Sequence, residues 1–204
     1  MKKTMTLSFF AIAFCIANLF STAAKAQAVE EGNIIIDAYY GFPNLWSSLL
    51  KTAYAEATEE YKVKSMGPIG GRVEYLLSDK IGLGIDIHTA NSSVEWTDNI
   101  SSPTTYKVSY SRLRICPRIN IHFSNNDKLD FYSAFGIGYR TSRFKFTSTP
   151  VDPDFENSTV DFNTIPVTWR AALGLRYFFT KNLGASLEMG LGGVLATAGI
   201  SAKF

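Results

Sequence analysis

Past its N-terminal segment, the 204-residue chain has no uninterrupted apolar run of about 18 residues. That excludes a membrane-spanning helix there, and excludes nothing else about membranes. Cysteine is nearly absent: Cys15 lies in the N-terminal segment, and Cys116 is left alone beyond it, so no internal disulfide is available. Charged residues make up 19% of the chain, less than the usual quarter, and the histidines are His88 and His122 alone. The formal charge of +2 is owed to Lys2, Lys3 and Lys25. Without residues 1–26, seventeen Lys and Arg face eighteen Asp and Glu, a net −1, so no nucleic-acid footprint remains.

What the chain does have is aromatics, at 14%, fifteen glycines and a persistent two-residue alternation. The first 26 residues read as a cleavable export signal. Lys2 and Lys3 precede an apolar stretch from Leu7 to Phe20, followed by Ala24-Lys25-Ala26 and Ala26-Gln27-Ala28 as small-x-small cleavage sites. Residues 27–204 form the expected second part, a single domain of strands.

Eight segments alternate. Ile34, Ile36, Ala38 and Tyr40 oppose Ile35, Asp37 and Tyr39; Val73 and Tyr75 oppose Arg72, Glu74 and Leu76; Leu83, Ile85 and Ile87 oppose Asp86 and His88. Leu113, Ile115, Pro117, Ile119 and Ile121 oppose Arg112, Arg114, Cys116, Arg118 and His122. Further on, Phe131, Phe135, Ile137 and Tyr139 oppose Tyr132 and Arg140, while Trp169, Leu173 and Tyr177 oppose Arg170, Arg176 and Phe178. Leu183, Leu187 and Met189 oppose Glu188, and the last segment sets Val194, Ala196, Ala198, Ile200 and Ala202 against Leu195, Thr197, Ser201 and Lys203. Pro117 lacks the N–H of a closed ladder and predicts a bulge.

Connections alternate between tight turns and long stretches at 41–68, 89–111 and 141–164, expected as loops. The first carries Leu45, Trp46, Leu49, Leu50, Ala53, Ala57 and Tyr61 at helical spacing, predicting an amphipathic helix. Alternation alone also suits a soluble lipocalin-like barrel with its apolar face inside. Three features reverse the orientation. No charge occurs on the apolar face, and Gly82, Gly84, Gly136, Gly138, Gly174, Gly184 and Gly190 crowd the charged one. The apolar-face aromatics form two levels, Tyr75, Phe123, Phe131, Tyr177, Phe179 and Phe204 at the short-turn end and Tyr40, Tyr139 and Trp169 at the other. The expected fold is an all-β, eight-stranded antiparallel up-and-down transmembrane β-barrel. Its lumen would hold Asp37, Arg72, Glu74, Asp86, Arg112, Arg114, Arg118, Arg140, Arg170, Arg176, Glu188 and Lys203 as a structural charge network.

The signal segment, Tyr40-Gly-Phe-Pro-Asn44, Leu129 to Arg140 and the terminal Gly199-Ile-Ser-Ala-Lys-Phe204 together resemble small outer-membrane barrels of the OmpX and OmpA-transmembrane type, in the porin-like outer-membrane barrel family. The resemblance implies a Gram-negative outer membrane, contact with its lipids and lipopolysaccharide, and insertion by the barrel-assembly machinery. In that family the machinery reads a terminal aromatic strand, here ending in Phe204. It carries over no catalytic residues and no cofactor. The expected role is non-enzymatic, in cell-surface interaction or envelope integrity through the stretches 41–68, 89–111 and 141–164, with a narrow porin-like channel as the alternative. A lipid-modifying enzyme ranks third, because both histidines project into the lumen by parity. Asp152, Asp154, Glu156 and Asp161 match no defined cation-binding loop and read as a solvated acidic stretch.

Overall fold

The computed structural model describes residues 28–43, 52, 61–98, 104–150, 157–161 and 166–204. The expected signal, residues 1–26, lies outside the described residues, and so does the predicted helix at 45–61 apart from Thr52, which is helical, and Tyr61.

Nine strands occur among the described residues: β1 (Ile34–Phe42), β2 (Tyr61–Ser78), β3 (Ile81–Asp98), β4 (Thr104–Asn125), β5 (Leu129–Thr149), β6 (Ser158–Asp161), β7 (Val167–Phe178), β8 (Leu183–Leu191) and β9 (Ala196–Lys203). All their pairings are antiparallel. Eight of them close a ring: β4–β3–β2–β1–β9–β8–β7–β5, with β5 returning to β4. The short β6 is added to β5 at one end only, through Arg143–Phe146. The last strand closes the ring as its alternation predicts, with Ala202 opposite Ile36 on one side and Leu183 on the other.

Alternation becomes orientation in the lower part of the ring. Along β1 and β7 exposed and covered residues alternate almost without exception. Ile137 is 72% exposed and Trp169 52%, while Arg176 and Glu188 are fully covered. Burying carboxylates and guanidinium groups while exposing Ile, Leu and Trp opposes every water-solvated arrangement. The arrangement is stable when hydrocarbon surrounds the outer face and the closed ring leaves no backbone donor unpaired.

Three sequence expectations change. The stretches 41–68, 89–111 and 141–164 are largely strand, not loop: β2 and β3 run 18 residues each, β4 22 and β5 21, against 9 for β1 and 8 for β9. Four strands therefore continue past the ring as a sheet. Pro117 produces no bulge, since the register runs unshifted from Ile115↔Tyr139 to Arg118↔Gly136. Shifts occur instead at His122/Ser124, at Leu76/Ser78 and at Met66/Ile69, where Pro68 occupies the irregular position that tolerates a missing N–H. Val194 and Leu195 also exchange faces. β9 begins only at Ala196, and the turn before it, with Gly192 at φ 78°, ends strand parity early. Val194 is thus 4% exposed and Leu195 40%.

The apolar residues that alternation turns inward, Ile35, Leu76 and Phe178, are not isolated exceptions. They cluster with Ala28 and Val29 across the short-turn end. Ala28 donates its N–H to the Asn126 carbonyl at 2.7 Å, and its own carbonyl accepts from Lys203 Nζ at 2.6 Å. Residues 28 and 29 form an apolar stopper held by the strands around it.

Candidate functional site: the lumen and the outer sheet

Inside the ring, side chains from all eight ring strands converge in two clusters. The lower one centres on Arg176 of β7. Its guanidinium reaches Asp37 of β1 at 3.0 Å, Glu74 of β2 at 2.7 Å and Asp130 of β5 at 3.2 Å. His122 of β4 lies between the last two, with Nδ1 2.6 Å from Asp130 and Nε2 2.8 Å from Glu74. Carboxylate oxygens only accept, so the ring that satisfies both contacts is the doubly protonated imidazolium.

The upper cluster centres on Glu188 of β8, which faces Arg118 at 2.6 Å, Arg170 at 2.8 Å and Arg72 at 3.4 Å. Arg72 also donates to Asp86 at 2.8 Å and to the Thr197 hydroxyl at 2.7 Å. With His122 charged, Arg72, Arg118, Arg170, Arg176 and His122 balance Asp37, Glu74, Asp86, Asp130 and Glu188. A low-dielectric interior favours such pairing, because an unmatched charge there is costly; the buried Arg114, outside both clusters, is held by backbone carbonyls instead.

Aromatics fill the space between the clusters. The Arg72 guanidinium stacks 4.0 Å over Tyr39, and Arg176 lies 4.4 Å over Tyr132. Tyr132 can lie flat against the wall because its neighbour on β7 is Gly174, where an added Cβ would fall inside the ring. The cavity lined by Tyr39, Asp86, His88, Arg114 and Arg118 measures about 10 Å³. That is the size of about one water.

Four residues expected in this network sit elsewhere. Arg114 is buried but donates at 2.5 Å to the carbonyls of Trp169 and Gly192, tying down the β8–β9 turn. Arg112 is half-buried at the wide end. Arg140 is exposed, because β5 leaves β7 after Tyr139↔Val167 and the wall stops there. Lys203 serves the stopper, 5.2 Å from the Phe178 ring. Conversely, Asp130 is a full member of the lower cluster that sequence reading passed over. Its shared parity with Tyr132 was the available signal, masked by the polar turn just before it. His88 faces the lumen with Nδ1 3.1 Å from Asp86.

Past the ring, the faces reverse. Val63, Val94, Trp96, Tyr106, Val108, Tyr110, Phe144 and Phe146 continue the inward parity of the arginines below, yet are apolar. Val94 is fully covered, Trp96 stacks on Tyr106 at 5.7 Å, and Tyr110 packs on Phe144 at 4.8 Å. The outward parity, aliphatic below, now carries Lys62, Lys64, Lys107, Arg143 and Lys145. Arg143 meets Asp161 at 2.7 Å, which raises its already high pKa.

A closed ring with an apolar outer band, a neutralised polar lumen and hairpins long at one end only defines a transmembrane β-barrel. Residues 12–198 match the outer membrane protein beta-barrel domain, and the chain belongs to that family. It resides in the outer membrane. Among solved structures it is similar to the N-terminal β-barrel domain of Pseudomonas aeruginosa OprF, at 17% identity and a TM-score of 0.40 over 86% of this chain and 100% of that one. It is also similar to Ail, the attachment invasion locus protein of Yersinia pestis, in complex with the heparin analogue sucrose octasulfate, at 14% identity and a TM-score of 0.42 over 85% and 99%. OprG from Pseudomonas aeruginosa matches at 12% identity and a TM-score of 0.42 over 86% and 97%. No curated protein sequence matches the chain.

Proposed function

We propose that this barrel is a non-enzymatic element of the outer membrane, its lumen shut to solutes, and that its sheet beyond the bilayer serves cell-surface interaction or envelope integrity. The observation carrying this reading is the contrast between a lumen spanned by Arg176 and Glu188 contacts and a sheet of four long strands projecting past it. The stopper at Ala28 and Val29 adds a second barrier. Catalysis finds little support, since both His122 nitrogens are engaged by carboxylates and His88 faces the lumen and not the lipid.

Recordings of the refolded protein in planar bilayers test this reading. The expected trace is quiet, and reproducible discrete conductance would favour the narrow channel instead. Incubation with phospholipid or lipopolysaccharide is expected to yield no acyl transfer; transfer lost in His88→Ala would assign an enzyme.

Phe204 fits the role of an insertion signal for the barrel-assembly machinery. It is 68% exposed and its backbone forms one reciprocal pair with Ile34 at 2.9 Å, so it contributes little to the finished wall. Deleting it is expected to lower outer-membrane levels several-fold while barrel that does assemble unfolds at nearly the same urea concentration. Normal outer-membrane levels of the deletion would refute the role.

A further inference from the structure

Successive inward positions of β4 are Arg114, Cys116 and Arg118, and their partners across the β3 register are His88, Asp86 and Gly84. Arg72 of β2 joins them, opposite Asp86. Arg72, His88, Arg114 and Arg118 all line the cavity of about 10 Å³ in the upper lumen, and each is only 3–4% exposed. Each also carries a buried nitrogen without a hydrogen-bond partner among the described residues: Arg72 Nη1, His88 Nε2, Arg114 Nε and Arg118 Nη1. Arg118 Nη1 stands 3.5 Å from Asp86 and Arg72 Nη1 3.9 Å from Asp37, near enough for attraction but not hydrogen-bonded. Buried donors left unpaired are costly and uncommon, and here four such nitrogens belong to the walls of one cavity.

Charge narrows the ligand. The guanidinium groups of Arg72, Arg114, Arg118 and Arg170 line the cavity, and the carboxylates within 3.5 Å of them are Asp86 and Glu188. The lower cluster runs the other way, with Asp37, Glu74 and Asp130 against Arg176 and the His122 imidazolium. Both clusters and Arg114 together leave one positive charge uncompensated, because the Trp169 and Gly192 carbonyls that hold Arg114 accept hydrogen bonds without carrying net charge. A water fits such a site poorly. Its two lone pairs cannot serve three guanidinium donors, and it brings no charge. His88 Nε2 becomes a fourth donor whenever the ring is doubly protonated. A bare halide accepts from every direction, supplies the balancing charge and takes roughly the room of one water. Phosphate and sulfate, with their shells of oxygens, are too large.

We propose that the upper lumen holds one halide ion, such as chloride, between the guanidinium groups of Arg72, Arg114 and Arg118. The ion is held and not conducted, so the site goes beyond the surface role proposed above and stands or fails separately from the quiet bilayer trace.

The test follows urea unfolding of the refolded full chain in detergent micelles while sodium chloride replaces sodium gluconate at constant ionic strength. Each tenfold rise in chloride above its dissociation constant should raise the folded-to-unfolded ratio about tenfold, as one ion bound by the folded state alone requires. Bromide should act alike. Cys116 is 1% exposed and lines the cavity, so Cys116→Asp places a permanent carboxylate there and should abolish the halide dependence, whereas Cys116→Ser should keep it. Retention of the heat-dependent gel shift verifies that each variant is folded. Independently of any variant, bromide-soaked crystals of the wild type should show an anomalous peak inside the ring, between Arg72 and Arg118. Stability indifferent to the exchange of gluconate for chloride overturns the proposal. So does an equal chloride dependence in folded Cys116→Asp, or bromide found only on the protein surface.

Discussion

Below Leu113, strand β4 points its aliphatic side chains out and its arginines in; above Leu113, the same strand points lysine out and tyrosines in. The pleat never changes, and only the solvent does. Within the bilayer, the outer face meets hydrocarbon and the inner space must neutralise its own charges. Past the bilayer, water takes the outer face, and the inner face becomes an ordinary apolar core. The crossing point, at Thr89, Leu113 and Thr141, therefore marks the membrane boundary without reference to any other protein.

Four experiments would break or sharpen that comparison. The largest effect is expected in the lumen. Arg176→Met leaves Asp37, Glu74 and Asp130 without their shared guanidinium, a loss of about 3–5 kcal/mol in urea unfolding. Arg143→Met, whose partner is exposed, should be indistinguishable from wild type in the same assay. Equal effects would mean that the lumen is as wet as the surface.

Next comes a charge placed on one parity of one strand. Ile119→Arg, on the lipid face at mid-height, is expected to cost about 2–4 kcal/mol, whereas Ser109→Arg beyond the boundary should be nearly neutral. Comparable losses at both positions would move the boundary. Smaller still is the effect of Val94→Ala, about 1–2 kcal/mol confined to the sheet. It should speed proteolysis of the projecting strands while the ring keeps its heat-dependent gel shift, because the two regions bury separate cores.

The last test changes no energy and concerns processing. Cleavage after Ala26 keeps Ala28 and Val29 for the stopper, whereas cleavage after Ala28 would remove one and place a charged amine on the other. The intact mass of protein recovered from outer membranes should correspond to a chain starting at Gln27. A start at Val29 would mean that the mature barrel lacks the Ala28 half of the stopper.

The ring was legible because its strands carry one polarity throughout. Arg72, Asp37 and Glu188 reveal their face by parity alone. The projecting strands were not legible, although Tyr106, Val108 and Tyr110 alternate as cleanly as Leu113 and Ile115. Their polarity is opposite, so at the boundary the apolar periodicity jumps one residue and resembles the end of a strand. Asp130 was hidden in a similar way, by a polar turn that disguised the first inward position of β5.

By itself, the amino-acid order determined which residues share a face, down to the alternating stretch that precedes Phe204. These are local properties of a pleated chain, set by a two-residue period. Which carboxylate meets which guanidinium was decided only by the closed ring. Arg176 and Asp37 stand 139 residues apart and touch because β1 pairs with β9 and the strands curve round a common lumen. Closure likewise turned Ile35, Leu76 and Phe178 from misplaced residues into the floor of the barrel, a role that exists only when distant strands surround the same space.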